Sequence, residues 1–333
     1  MAKCAEELAV GIGYLLRIGV TPQCNYRCVY CNPEGECGQK NDLTSQDLIE
    51  ILTISAELGI KDVHITGGEP LLLPSLVEVL RTVKNNGHHL NYYLTTNGSL
   101  LYKYAEDLSE VGVKRVNISV DSINPDIFHN ISQTDHLEKV LRGIAISKSV
   151  FESIKINMVV LRRYNFNEIL TMIEFCQEHE IILRLMELLP FSTSEQPGDF
   201  FLDNHVSKRE LEEFLQKELG SLMPANNVKG NNWACDYWTV NNYKTPIAIV
   251  YHHTRGYFCV KQNCKSLRIS PGGDLAACYT AGFPTINIAN SNYDEKLDKF
   301  LQSFGVKRGL EDGSITYPSY HIPDYKAFRA NIK

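Results

Sequence analysis

Along the first two thirds of the chain, apolar positions recur in two alternating rhythms. "LLRIGVT" (15–21) is a short apolar, β-branched run. "SQDLIEILTISAELG" (45–59) has apolar residues at helical spacing, with Ser45 as the cap residue and Gly59 at its end. "DVHITGGEP" (62–70) reads as a strand entering a glycine turn, and "PSLVEVLRTVKNNG" (74–87) as a helix. Strands follow in "LNYYLTTNG" (90–98), "RVNISVDSI" (115–123), "IKINMVVL" (154–161) and "ILRLMELLP" (182–190), with helices at 101–112, near 136–151 and at 167–180. Six strands alternating with five helices predict an α/β fold, a partial (β/α)6 TIM-like barrel with parallel strands. The polar and glycine-rich segments fall at the carboxyl ends of the strands, where ligands bind in such folds. On this reading the chain divides into a barrel at 1–190 and a smaller C-terminal domain at 191–333 that closes one side with hairpins.

Composition narrows the possible functions. The 333 residues suit one large domain or two ordinary ones, and 44% hydrophobic content supports a buried core. A net charge of -6 gives no global basic field for nucleic acid or an anionic membrane. No run approaches the roughly 18 apolar residues of a membrane span. "MAKCAEELAVGIGYLL" holds an acidic pair and no small-residue cleavage site, so a cytoplasmic location is expected. In that compartment ten cysteines point to metal or redox chemistry rather than a disulfide framework.

The densest cysteine group is "CNYRCVYC", with Cys24, Cys28 and Cys31 spaced C-x3-C-x2-C. Structural zinc favours four ligands, and the nearest spare thiol is Cys37. Three thiolates around a cubane would leave one iron open, so an iron–sulfur site is the first expectation and zinc the alternative. A second set, "CVKQNCKSLRISPGGDLAAC", supplies Cys259, Cys264 and Cys278 around the hairpin signal "SPGGD". Cys235, in "NNWACDYW", is a possible fourth ligand of this auxiliary set, with burial as a small hydrophobe as the alternative. Cys176, on the helix "IEFCQEHE", reads as a buried hydrophobe.

"CNYRCVYC", "TGGEP", "LTTNG" and "NISVDS", in that order and each after its own strand, resemble the radical S-adenosylmethionine (SAM) superfamily. Within it the chain is similar to the GTP 3′,8-cyclase family of molybdenum-cofactor biosynthesis, from about Leu15 to the second cysteine set. The resemblance implies a 4Fe-4S cluster on Cys24, Cys28 and Cys31, whose open iron takes the amino and carboxylate groups of SAM. One electron, from a reductant such as flavodoxin or ferredoxin, then yields a 5′-deoxyadenosyl radical that takes hydrogen from a small-molecule substrate. It implies SAM contacts from Gly67 and Gly68, from the Glu69 carboxylate to the methionine amino group, and from Ser119, Thr95 and Asn97. The backbone at Tyr30 would lie against the adenine. A second 4Fe-4S cluster on Cys259, Cys264 and Cys278 is implied; in the cyclases its open iron binds the substrate base.

Arg17, Lys155 and Arg184 match basic positions that grip the nucleotide in the cyclases, and Lys265 and Arg268 match two more. The likeness weakens elsewhere. Asp62 and His64 stand where the cyclases carry basic residues, "LLPS" replaces the arginines after "GGEPL", and Ser266 occupies a further basic position. His64 would carry charge only below its ordinary pKa of about 6.5. The cyclases' Gly-Gly tail is replaced by "FRANIK". Each lost charge-assisted contact costs about 1.5–3 kcal/mol. The expected substrate is therefore nucleoside-like or a natural-product precursor, less charged than a triphosphate. GTP itself and a peptide are the alternatives.

Overall fold

The computed structural model describes residues 11, 13–31, 43–189, 198–225, 228, 235–240, 243–251, 265–277 and 285–312. Cys259, Cys264, Cys278 and the C-terminal tail lie outside them. The barrel strands are β1 (Leu15–Gly19), β2 (Asp62–Thr66), β3 (Asn91–Thr96), β4 (Val113–Ser119), β5 (Ser153–Val159) and β6 (Ile182–Met186), each parallel to the next. Helices α1 (Ser45–Glu57), α2 (Leu76–Asn85), α3 (Leu101–Glu110), α4 (Pro125–Ser132), α5 (Leu137–Val150) and α6 (Ile169–Glu178) connect them.

Two local differences from expectation have plain causes. The cap of α1 is Thr44, not Ser45: its hydroxyl accepts from the Asp47 N–H while the Asp47 side chain accepts from the Thr44 N–H. Such a capping box contributes about 1 kcal/mol. Helix α4 is an addition, started by Asn124, whose side chain accepts from the Asp126 and Ile127 N–H groups, with Pro125 at the first helical position. It is too short for its periodicity to stand out beside the preceding strand.

The remaining elements are α7 (Gly198–Asn204), α8 (Lys208–Leu219), β7 (Leu222–Pro224), β8 (Cys235–Val240), β9 (Ile247–Val250), β10 (Ser266–Ile269), β11 (Asp274–Ala276), β12 (Ile286–Asn287) and α9 (Tyr293–Asp312). The later strands do not form a separate layer among the described residues. β9 adds in parallel to β6 and carries β8 and β7; β10 adds in parallel to β1 and carries β11 and β12. The "SPGGD" turn is the β10–β11 hairpin, with Gly273 at φ +84. The C-terminal third thus flanks both edges of the barrel sheet rather than one. Lys296 of α9 anchors this arrangement by pairing with both Asp47 and Glu50 of α1.

Parallel strands buried on both faces normally read as continuous apolar runs. Here they alternate. Leu16, Ile18, Val63, Ile65, Leu94, Val116, Ile118, Ile156, Met158, Leu183 and Leu185 are at most 1% exposed and belong to the main core. The residues between them are Arg17, His64, Thr95, Asn117, Lys155, Asn157 and Arg184. The inner face is therefore polar, where a closed TIM barrel would stack Val, Ile and Leu. The space this polar face lines, the lumen, is suited to a ligand by the character of its side chains.

Candidate active site

The cysteine loop leaves the carboxyl end of β1 and rests on the turn after β2. The Gly68 N–H donates to the Thr21 carbonyl (2.7 Å) and the Glu69 N–H to the Gln23 carbonyl (2.7 Å). A Cβ on Gly67, whose φ is +138, would lie 2.4 Å from the Thr21 oxygen; one on Gly68 would lie 2.2 Å from the Gln23 oxygen. Only glycine permits this approach. The pair therefore holds the chain that enters Cys24, whatever else it touches.

Glu69 has no exposed surface. Its carboxylate accepts from the Leu71 N–H (3.0 Å), the Thr96 hydroxyl (2.7 Å) and the Asn97 N–H (2.7 Å). Burial raises its pKa to about 7 against these three bonds. With these bonds the carboxylate braces the turn after β2 against the end of β3. Asn97 continues the brace. Its amide donates to the Asn25 side chain (2.8 Å) and approaches the Cys24 sulfur (3.9 Å), while Asn25 donates to Ser99 (3.0 Å).

The other side of the loop docks on α4 and the end of β4. The Arg27 and Val29 N–H groups donate to the Ser132 and Ile131 carbonyls. The Tyr30 hydroxyl donates to Asp121 (2.8 Å), which also accepts from the Val159 N–H (2.8 Å). Burial lifts the Asp121 pKa to about 6. Cys28, Tyr30, Asn97, Ser119, Asp121 and Phe128 line one recess.

Desolvation by the surrounding loop pushes the Cys24 thiol up although the residue keeps exposed surface, and it pushes up Cys28, where the charges of Asp121, Cys31 and Cys24 add to it. Positive metal charge is what ionises such a set. The Tyr26 N–H, 3.4 Å from the Cys24 sulfur, is the kind of donor that tunes a cluster thiolate. Among the described residues no three His, Cys, Asp or Glu side chains gather closely enough for one ion.

Below the rim, the lumen collects cations. Arg268, Arg17 and His64 are register neighbours across β10, β1 and β2, and Asn157 and Arg184 across β5 and β6. Burial and then Arg17, Arg184 and Arg268 hold His64 well below its usual pKa, so it is neutral. Its Nε2 lies 2.8 Å from the Thr95 hydroxyl. Thr95 thus faces the lumen, and its neighbour Thr96 faces the rim. Lys155 donates to the Tyr237 hydroxyl (2.9 Å); burial and then Arg184 lower its pKa to about 8. Arg184 is 7% exposed and Asn157 8%, and among the described residues Arg184 Nε and Asn157 Oδ1 have no hydrogen-bond partner. At the amino end, Asp62 accepts from the Tyr93 hydroxyl (2.8 Å) and the Asn91 side chain (2.9 Å), with Arg115 over the Tyr93 ring.

Cys235 joins this lumen wall: it packs with Tyr237, Ala248 and Val250, and Ala248 lies opposite Arg184; burial raises its pKa, against the charge of Arg184. It opens β8, on the β6 edge of the sheet. Lys265, next in sequence to Cys264, is on the other edge, where its carbonyl accepts from the Leu15 N–H. Cys176 is fully buried, as expected. Sequence reasoning missed Asn25, Thr96, Asp121 and Tyr237. Of these, only Asp121 carried a signal, as the charged residue inside "NISVDS".

The chain matches the model of the radical SAM superfamily over residues 18–176. It is 32% identical to the GTP 3′,8-cyclase of Limosilactobacillus fermentum, covering 91% of this chain and 88% of that one. The probable GTP 3′,8-cyclase of Methanothermobacter thermautotrophicus is also 32% identical, over 79% of this chain and 83% of that one. Among solved structures, Streptococcus suis SuiB bound to S-adenosylmethionine superposes with a TM-score of 0.60 at 16% identity, covering 89% of this chain and 67% of that one.

Proposed function

The chain belongs to the radical SAM superfamily and, within it, to the family of the GTP 3′,8-cyclases, and on that premise we propose that its lumen takes an anionic small molecule carrying less charge than a triphosphate. An enzyme of this superfamily uses a 4Fe-4S cluster and SAM, which together supply a 5′-deoxyadenosyl radical on one-electron reduction. Cys24, Cys28 and Cys31 would hold the cluster. Asn97, Ser119 and the backbone at Gly67, Gly68 and Tyr30 would hold SAM. Glu69 and Asp121 serve that site by bracing: one ties the turn after β2 to β3, the other ties the cysteine loop to β4 and β5. Phe128 and Ile131 cover the recess and exclude water.

The observation that carries the substrate reading is the pair Arg184 Nε and Asn157 Oδ1, buried without partners in a wall of cations. Buried polar atoms left unpaired are costly, so a ligand with both an anionic group and a donor fits them. The ligand's charge is limited at the amino end. There an acidic side chain, Asp62, stands where the cyclases carry a basic one, and burial with three arginines holds His64 well below its usual pKa. A monophosphate or carboxylate on a nucleoside-like body meets these terms. The second 4Fe-4S cluster, on Cys259, Cys264 and Cys278, rests on their spacing. Arg184 and Tyr237 beside Cys235 speak for three protein ligands rather than four. GTP is the second reading, favoured by the names of the relatives at 32% identity.

The test is to reconstitute the protein and reduce it with SAM and, separately, GTP, guanosine monophosphate and guanosine. 5′-Deoxyadenosine above the no-substrate background is then measured for each. The proposal expects stimulation by the monophosphate or neither nucleotide, and none by GTP. Robust GTP-dependent formation of the 3′,8-cyclised nucleotide would replace it with the second reading.

A further inference from the structure

We propose that Cys235 is a hydrogen-atom donor to carbon radicals that form in or reach the lumen, the 5′-deoxyadenosyl radical included when no substrate is present, an inference that rests on the radical SAM reading above. The placement is set by strand register. Tyr237 of β8 lies opposite Ala248 of β9, which lies opposite Arg184 of β6. Cys235 is two residues before Tyr237 and so on the same face; the two pack together with Ala248 and Val250. The thiol therefore stands in the wall that carries Arg184, whose partnerless Nε independently marks the place of a ligand. Lys155 donates to the Tyr237 hydroxyl from behind (2.9 Å). The result is a line of groups, Lys155 to Tyr237 to Cys235, with Arg184 beside the sulfur.

Such a line can complete a radical turnover. The S–H bond of a thiol is weaker than an alkyl C–H bond. A substrate radical R• thus takes the hydrogen atom: S–H breaks, R–H forms, and a thiyl radical remains. Burial keeps Cys235 protonated, the form that holds a hydrogen atom to give. The thiyl radical then accepts one electron from the low-potential one-electron reductant that SAM cleavage already consumes. The thiolate so formed is stabilised by Arg184 and takes the Tyr237 proton. Lys155 returns a proton to the phenolate and is itself recharged from solvent. Each cycle consumes one electron and one proton beyond SAM cleavage.

The test needs no identified substrate. Reconstituted wild type, Cys235→Ala and Cys235→Ser are incubated with SAM and titanium(III) citrate in D2O, in thiol-free buffer. The 5′-deoxyadenosine released is analysed by mass spectrometry, and iron and sulfide are counted in each protein. The thiol exchanges with solvent, so the wild type should release singly deuterated 5′-deoxyadenosine. Both variants should release it without solvent deuterium, at wild-type iron content. Label that persists in the variants, or is missing from the wild type, would overturn the assignment. Iron that falls in both variants would make Cys235 a cluster ligand instead. A wild type that releases no 5′-deoxyadenosine at all would overturn the radical SAM reading and this inference with it.

Discussion

Glu69 at the carboxyl rim and Arg184 in the lumen are both ionisable and both buried, yet the chain treats them differently. Glu69 receives three hydrogen bonds from its own chain, and its neighbours Asn25, Asn97 and Ser99 satisfy one another. Arg184 keeps an unpaired Nε, beside an unpaired Asn157 oxygen. The Glu69 cluster is satisfied before any ligand arrives and fixes the geometry of the cysteine loop. The lumen is unfinished, and its unpaired atoms describe what must enter. The first region positions chemistry common to a superfamily; the second selects the molecule on which that chemistry acts.

The largest effect should come from removing the cysteines. With Cys24, Cys28 and Cys31 all changed to Ala, 5′-deoxyadenosine formation should drop to background while the circular-dichroism spectrum is retained, because Cys24 and Cys31 are exposed. Persisting SAM cleavage would detach the rim from the chemistry. Next is Gly68→Ala. A Cβ 2.2 Å from the Gln23 carbonyl forces the loop away, which should cut iron incorporation and cost about 1–3 kcal/mol in urea unfolding. Full iron content in that variant would show that the close approach is incidental.

A smaller effect follows from pH. The folded Glu69 pKa of about 7 exceeds its ordinary value of 4.5, so ionisation is harder in the folded state. Its favourable contribution is complete below pH 4.5 and is lost as pH rises through about 7. The loss amounts to about 3 kcal/mol at most. Asp121, raised from 3.8 to about 6, tilts stability the same way at lower pH. Urea midpoints of cluster-free protein should therefore fall between pH 4.5 and 7.5, and Glu69→Gln should flatten that fall. An unchanged slope would mean that Glu69 is not the buried carboxyl responsible. The smallest effect belongs to Lys155. With its pKa near 8, anion affinity should decline between pH 7 and 9 in the wild type and lose this dependence in Lys155→Met, as read by isothermal titration with guanosine monophosphate.

The same contrast explains how much could be read from the chain. The barrel strands and the rim residues Gly67, Gly68, Asn97 and Cys24 were legible because each sits where a strand ends and a polar turn begins. Thr95 and Thr96 were not separable, since adjacent strand residues face opposite sides and two threonines look alike. Thr95 went to His64 and Thr96 to Glu69. The lumen partners of Cys235 were illegible because they depend on pairings of β8 with β9 and β9 with β6, more than fifty residues apart in sequence for the second. The charge of His64 was equally hidden: it follows from three arginines on β1, β6 and β10.

The central claim is that the lumen is cationic enough to demand an anion and too restricted at Asp62 and His64 for a triphosphate. Equilibrium binding of guanosine, guanosine monophosphate, guanosine diphosphate and GTP to the SAM-loaded protein, at fixed ionic strength, tests it most directly. Affinity is predicted to rise from the nucleoside to the monophosphate and to fall again at GTP, with Asp62→Lys raising GTP affinity selectively. Affinity that climbs steadily to GTP, with no response to Asp62→Lys, would contradict the account.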